Sequence, residues 1–287
     1  MSAVAVEFDQ SFIDHDHRLV YDTYGSSDAP LVVYLHGLLL DAELNRGIAQ
    51  ALAEQGFRVA LLDLLGHGRS DKPMHASEYR IDSYAGQVVA LLDHLGVGSA
   101  VLGGISLGAN VSLFAATRYP ERTRALVLEM PVLERAVPAA ALVFVPMVLA
   151  AHYGRREMTV ISDLFSRIPR TRFGPLTSVM NAASLSPETV AAVLHGVLVG
   201  PVAPTLEQRR AIDAPTLVLA HRNDLIHPFN DAVSLVEHMP SGVLVRTRSP
   251  LEMRLRPKRL TEEIVKFLAN LDPTPNSRQH DQRTGLA

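Results

Sequence analysis

"SAVLGGISLGANVSLFAATRYP", residues 99–120, changes its period halfway along. Residues 99–105 form a short apolar run of the kind that builds a buried strand. From Ser106 onward the apolar spacing is helical, and Pro120 ends the helix. A strand that feeds directly into a helix is one half of a β-α-β unit. Ser106 stands at the junction with Gly104 and Gly108 on either side, in G-x-S-x-G spacing. Small neighbours let the chain turn sharply and lift the hydroxyl clear, and a helix N-terminus favours negative charge there. A plain strand–helix turn that carries a serine is the other reading of the same residues. A serine hydroxyl alone is a poor nucleophile. It needs a base and a group to orient that base, and both must come from elsewhere in the chain.

The same alternation extends in both directions. "LVVYLHG" (31–37) reads as a strand, and "DAELNRGIAQALAEQG" (41–56) as a helix with Asp41 as its cap and Gly56 as its stop. "FRVALLDL" (57–64) is a strand and 81–96 an amphipathic helix. "RALVLEM" (124–130) is a strand again. From 132 to 205 the alternation stops. That stretch is rich in Ala, Val, Leu, Met and Pro, has helical patterns, and reads as a helical insert. The pattern resumes with a strand at 214–220, a helix at 229–239, a strand at 242–248 and a closing helix at 259–271. The expected architecture is a mostly parallel sheet covered by helices on both faces, with residues 1–131 and 206–271 as core and 132–205 as a helical cap. The polar tail 272–287 is expected to be disordered.

Two further turns lie where strands end, the edge at which α/β sheets gather their chemistry. His36-Gly37 closes the first central strand and can aim the backbone N–H of Leu38, with that of Leu107, at a developing oxyanion. "DLLGHGRSDKP" (63–73) is a stiff glycine- and proline-containing loop. These motifs, the Gly104-x-Ser106-x-Gly108 elbow and "APTLVLAHRNDLIHP" (214–228) occur in order. In this the chain resembles the α/β-hydrolase fold family over about residues 18–270, with the cap inserted after the sixth strand of an eight-stranded-type sheet. The resemblance implies Ser106 as nucleophile and Asp224 as triad acid. Asp224 also follows an apolar strand, where a carboxylate can orient an imidazole, although Asn-Asp is ordinary turn chemistry as well. Glu129, at the end of another strand, is the reserve acid.

The family keeps its base after the last strand, before the proline that opens the final helix. Here that segment is "VRTRSPLEMRLRPKRL" (245–260), with Pro250 or Leu251 where the histidine would fall, and no histidine occurs between His238 and His280. His227 is the substitute candidate, three residues beyond Asp224 on the same loop; it is equally a helix-start residue before Pro228. His221 and His195 are weaker candidates, while His238 reads as an exposed helix residue and His280 lies in the tail. Glu252 amid arginines reads as a solvated basic edge, or as an ion pair filling the vacated position and able to meet an anionic substrate group.

Composition narrows the function. The net charge of −3 argues against a nucleic-acid partner. There is no cysteine, which excludes thiol catalysis and disulfides and suits a cytoplasmic protein. No signal-like start is apparent. "AVPAAALVFVPMVLAA" (136–151) is short for a bilayer span and reads as a buried or interfacial helix, so no transmembrane segment is expected. No metal or cofactor motif is found. The expectation is an ester or acyl hydrolase for a small apolar substrate. The alternative is a catalytically weak member of the fold that binds a hydrophobic ligand. Haloalkane dehalogenation would want a carboxylate at position 106. Oligomeric state is not legible.

Overall fold

The computed structural model describes residues 4–271, so the expectation for 272–287 lies outside the described residues. Eight strands form one sheet: β1 (Val6–Asp14), β2 (His17–Tyr24), β3 (Leu31–Leu35), β4 (Arg58–Asp63), β5 (Ala100–Ile105), β6 (Thr123–Glu129), β7 (Thr216–Ala220) and β8 (Gly242–Arg246). Their order is β1-β2-β4-β3-β5-β6-β7-β8. The pairs β1/β2 and β2/β4 are antiparallel and the others parallel. Strands β1 and β2 were not apparent from the sequence. β1 lies at the sheet edge, mostly exposed and polar, and carries neither an apolar run nor a clean alternation.

Side chains of the central strands alternate between two cores, as a period of two requires. Val33, Leu35, Leu102, Leu126, Leu128 and Val218 enter one core. There they meet α2 (Ile81–His94) and α3 (Leu107–Arg118). Val32, Tyr34, Val101, Val127, Leu217 and Leu219 enter the other. There they meet α1 (Arg46–Ala53), and α11 (Lys258–Ala269) packs through Leu260, Ile264 and Leu268. Each such buried aliphatic side chain contributes roughly 1.5–3 kcal/mol relative to exposure. The helix expected at 41–56 is instead a 3₁₀ turn, Ala42–Asn45, followed by α1. Asp41 caps that turn, and its other carboxylate oxygen accepts from Asn181 Nδ2, so the residue serves a tertiary contact as well.

Residues 132–205 contain four helices: α4 (Val137–Tyr153), α5 (Arg155–Arg167), α6 (Gly174–Ala183) and α7 (Pro187–Val199). A short α8 (Leu206–Arg210) follows. The start of this insert is fixed by Asp231 of α9 (Phe229–His238), whose buried carboxylate accepts from the backbone N–H groups of Leu133, Arg135 and Ala136. Its middle is fixed where Ser178 Oγ accepts from the N–H of Asp41.

Two buried histidines tie the loops at the upper edge of the sheet. His36 Nδ1–H donates to the Gly37 carbonyl at 2.8 Å while Nε2 accepts from the N–H of Leu64 at 3.1 Å, an arrangement open only to the neutral ring. His67 lies against it with ring centres 4.9 Å apart and donates from Nδ1 to the Leu65 carbonyl. Burial lowers the pKa of both rings from the ordinary 6.5. Their folded values therefore lie below the unfolded ones. The stability from burying them neutral is complete above pH 6.5 and is lost as pH falls below it. We expect the unfolding free energy from urea titration, and with it the midpoint, to drop between pH 7.5 and 5.5, the free energy by as much as about 1.4 kcal/mol per pH unit for each ring, and His67→Phe to flatten the slope. A midpoint independent of pH across that window would contradict this account.

Candidate active site

The junction at the end of β5 is strained. Ser106 has φ 53° and ψ −109°, a conformation that non-glycine residues rarely adopt. Gly104 (φ 155°) and Gly108 make the bend possible, because the β3 backbone passes directly behind it. A Cβ on Gly104 would lie 2.5 Å from the Leu35 carbonyl oxygen, and one on Gly108 would lie 2.6 Å from it. The bend is held by the Ser106 N–H, which donates to the Glu129 carbonyl at 2.9 Å, and by the Asn110 N–H, which donates to the Ser106 carbonyl. Ser106 precedes the first turn of α3, whose N–H groups, that of Leu107 included, have no partner within the helix.

The loop after β7 brings a histidine to this serine. His227 Nε2 lies 3.0 Å from Ser106 Oγ. On the other side of the ring, Nδ1 lies 3.2 Å from Asp224 Oδ1, off the line of a straight hydrogen bond. The same Asp224 oxygen accepts from the N–H groups of Ile226 at 2.8 Å and His227 at 3.0 Å, which closes the loop into a tight turn. Burial pushes the Asp224 carboxyl upward. The His227 ring and the two backbone donors outweigh that and hold it at about 2, so it is an anion under the imidazole throughout the neutral range.

The remaining candidates lie elsewhere. Nδ1 of His221 donates to the Thr247 carbonyl, and Nδ1 of His238 to the Ser234 carbonyl. His195 is exposed on α7, and His280 lies outside the described residues. Glu129, the reserve acid, faces no histidine. Its carboxylate accepts from Tyr34 Oη at 2.9 Å and from Arg254 Nη2 at 2.8 Å. The segment after β8, where the family's base would fall, folds into a short helix, α10 (Glu252–Leu255). There Glu252 accepts from Arg259 Nε at 2.7 Å and from the N–H of Arg248. An ion pair does stand in this segment. The arginine that enters the protein interior, however, is Arg254, and it pairs with Glu129.

A cavity of about 60 Å³ opens beside Ser106. Leu38 and Leu107 line it, with Ile81 and Ile226 from the core and Ala140, Phe144, Val197 and Leu198 from α4 and α7. Asn110 also reaches it and was not singled out from the sequence. Its Nδ2 donates to the carbonyls of Val132 and Val202 at 2.6 Å, and its Oδ1 accepts from the N–H of Val132 at 3.0 Å. One side chain on the serine's own helix thus joins both ends of the insert. A polar amide inside an otherwise apolar helical run was the available signal.

Sequence and structure comparisons bear on the fold and the family. The family model described as alpha/beta hydrolase fold matches residues 30–241. A Bacillus subtilis protein named AB hydrolase superfamily protein YisY is 28% identical over 228 residues, spanning 75% of this chain and 81% of that protein. A haloalkane dehalogenase from Mycolicibacterium paratuberculosis is 32% identical over 126 residues, and the 3-oxoadipate enol-lactonase 2 of Acinetobacter baylyi is 32% identical over 115. In both, the match spans only 42% of the relative's length. Among solved structures, the enol-lactonase from Burkholderia xenovorans LB400 superposes with a TM-score of 0.73 at 22% identity, over 91% of this chain and all of that one, a likeness of fold. The relatives are hydrolases, and the sheet order, the elbow and the matched length together make this chain a member of the α/β-hydrolase fold family.

Proposed function

We propose that the protein is a serine hydrolase acting on an ester or related acyl bond of a small apolar substrate, with its base on the acid's own loop. The observation that carries this reading is the 3.0 Å separation of His227 Nε2 from Ser106 Oγ. Ser106 Oγ attacks the acyl carbon and passes its proton to His227 Nε2. The charge that develops on the carbonyl oxygen meets the N–H groups of Leu38 and Leu107. Collapse expels the alcohol, which takes the proton from His227, and leaves an acyl-Ser106. Water then repeats the sequence with His227 as base, which releases the acid and restores the serine. Asp224 holds the ring and offsets the charge it acquires.

The helices of 132–205 act as a cap in this reading. Their apolar side chains complete a small acyl pocket of about 60 Å³. The dehalogenase relative suggests no such chemistry here, because position 106 carries a hydroxyl rather than a carboxylate. A fluorophosphonate probe is expected to label the wild type stoichiometrically and to leave Ser106→Ala unlabelled, and short p-nitrophenyl esters should turn over faster than long ones. A folded wild type that neither labels nor turns over any acyl ester would refute the reading and favour a ligand-binding role for the same pocket.

A further inference from the structure

The insert exposes an apolar surface that neither the fold nor the proposed reaction requires. α4 contains no Asp, Glu, Lys or Arg over its 17 residues, yet only Ala151 is fully buried. Leu142 is 79% exposed, Tyr153 81% and Leu149 50%. α5 turns Met158 inward against the core, but it also carries exposed apolar residues. Its apolar stripe, Val160, Ile161 and Leu164, is 51–63% exposed, while the residue it buries is Ser162. Two neighbouring helices that both expose apolar side chains carry surface of the kind that marks an interaction site.

The charge around the patch identifies what covers it. The chain carries −3 overall, but residues 155–172 hold five arginines (155, 156, 167, 170 and 172) against Glu157 and Asp163. Apolar side chains rimmed by exposed guanidinium groups are the surface that an anionic lipid leaflet complements. Among the described residues no single helix is long and apolar enough to cross a membrane, and α5 leaves the end of α4 at 102°.

We infer that the outer face of α4 and α5 docks the protein on anionic lipid bilayers, with α4 in the acyl-chain boundary and the α5 arginines among the headgroups. The docking surface does not depend on the proposed reaction. It does set the cavity beside Ser106 next to the lipid, because Ala140 and Phe144 of the same α4 line that cavity.

The test is sedimentation of the full chain with vesicles of phosphatidylcholine alone and of phosphatidylcholine mixed with phosphatidylglycerol, with light scattering on the free protein. The mixed vesicles are expected to bind it, less so as salt rises. Leu142→Glu with Leu164→Glu should lower the partition more than about tenfold with an unchanged melting temperature. At about fivefold for each guanidinium, Arg156→Gln with Arg167→Gln should lower it roughly twenty-five-fold. Equal binding to both vesicle types, or a monomer that binds neither, would overturn the inference. A dimer that the leucine variant converts to monomer, with no vesicle binding, would assign the face to a second copy instead.

Discussion

Changing His227 to alanine is expected to lower kcat on a short acyl ester by about 10⁴- to 10⁶-fold, close to the loss from Ser106→Ala, with KM little changed. The expectation follows from the reach of one ring. Nε2 meets the serine oxygen at 3.0 Å and Nδ1 faces an ionised Asp224 at 3.2 Å, while His36, His67, His221 and His238 hold backbone carbonyls, His17 pairs with Glu78 and His94 meets Tyr21 Oη. Residues that act as a unit give non-additive losses. The double variant Ser106→Ala/His227→Ala should therefore be no slower than either single one. Asp224→Asn should lose less than His227→Ala and should keep fluorophosphonate labelling at a reduced rate. A His227→Ala enzyme within tenfold of wild type would remove this residue from the base position.

Arg254→Ala is expected to destabilise the fold by about 3–5 kcal/mol, the range for stripping one partner from a buried ion pair. Both side chains are almost wholly enclosed, at 4% exposed for Arg254 and 1% for Glu129. Without the guanidinium the Glu129 carboxylate keeps only the Tyr34 hydroxyl, which burial and the carboxylate together hold in its protonated, donating form. The melting temperature should fall on the order of 10 °C. Replacing both members, Arg254→Met with Glu129→Leu, should lose less than Arg254→Ala alone, because no uncompensated charge remains. A single variant within about 1 kcal/mol of wild type would show that the pair is not a support of the fold. Activity gives a second readout. The Glu129 carbonyl accepts from the Ser106 N–H, so slackening the end of β6 should slacken the elbow.

Sequence reasoning reached the parts of this molecule whose signals are local. The passage from β5 through Ser106 into α3 is legible because the apolar period changes there from two to 3.6 and the glycines mark the turn. The parallel core strands are legible as short apolar runs. β1 is not, because an exposed edge strand such as "VEFDQSFID" has no buried face to impose a pattern. The Arg254–Glu129 pair joins residues 125 positions apart, and only the folded sheet brings them together. The amphipathic stripe of α5 is legible as a stripe, but helical periodicity carries no information about which way it points. His227 stood in the sequence beside its acid. What the chain alone could not supply was the path of the loop that carries Nε2 over β5.

The three-residue spacing of Asp224 and His227 also bears on how the site assembles as the chain folds. With acid and base on separate loops, a triad requires two long-range closures, each with its own entropy of bringing distant segments together. Here the acid–base contact closes a turn of a few residues, which the Asp224 carboxylate nucleates by gathering the N–H groups of Ile226 and His227. One distant closure remains, the 121-residue separation of His227 from Ser106. The segment after β8 carries no histidine, and in this chain it holds the buried arginine that braces β6.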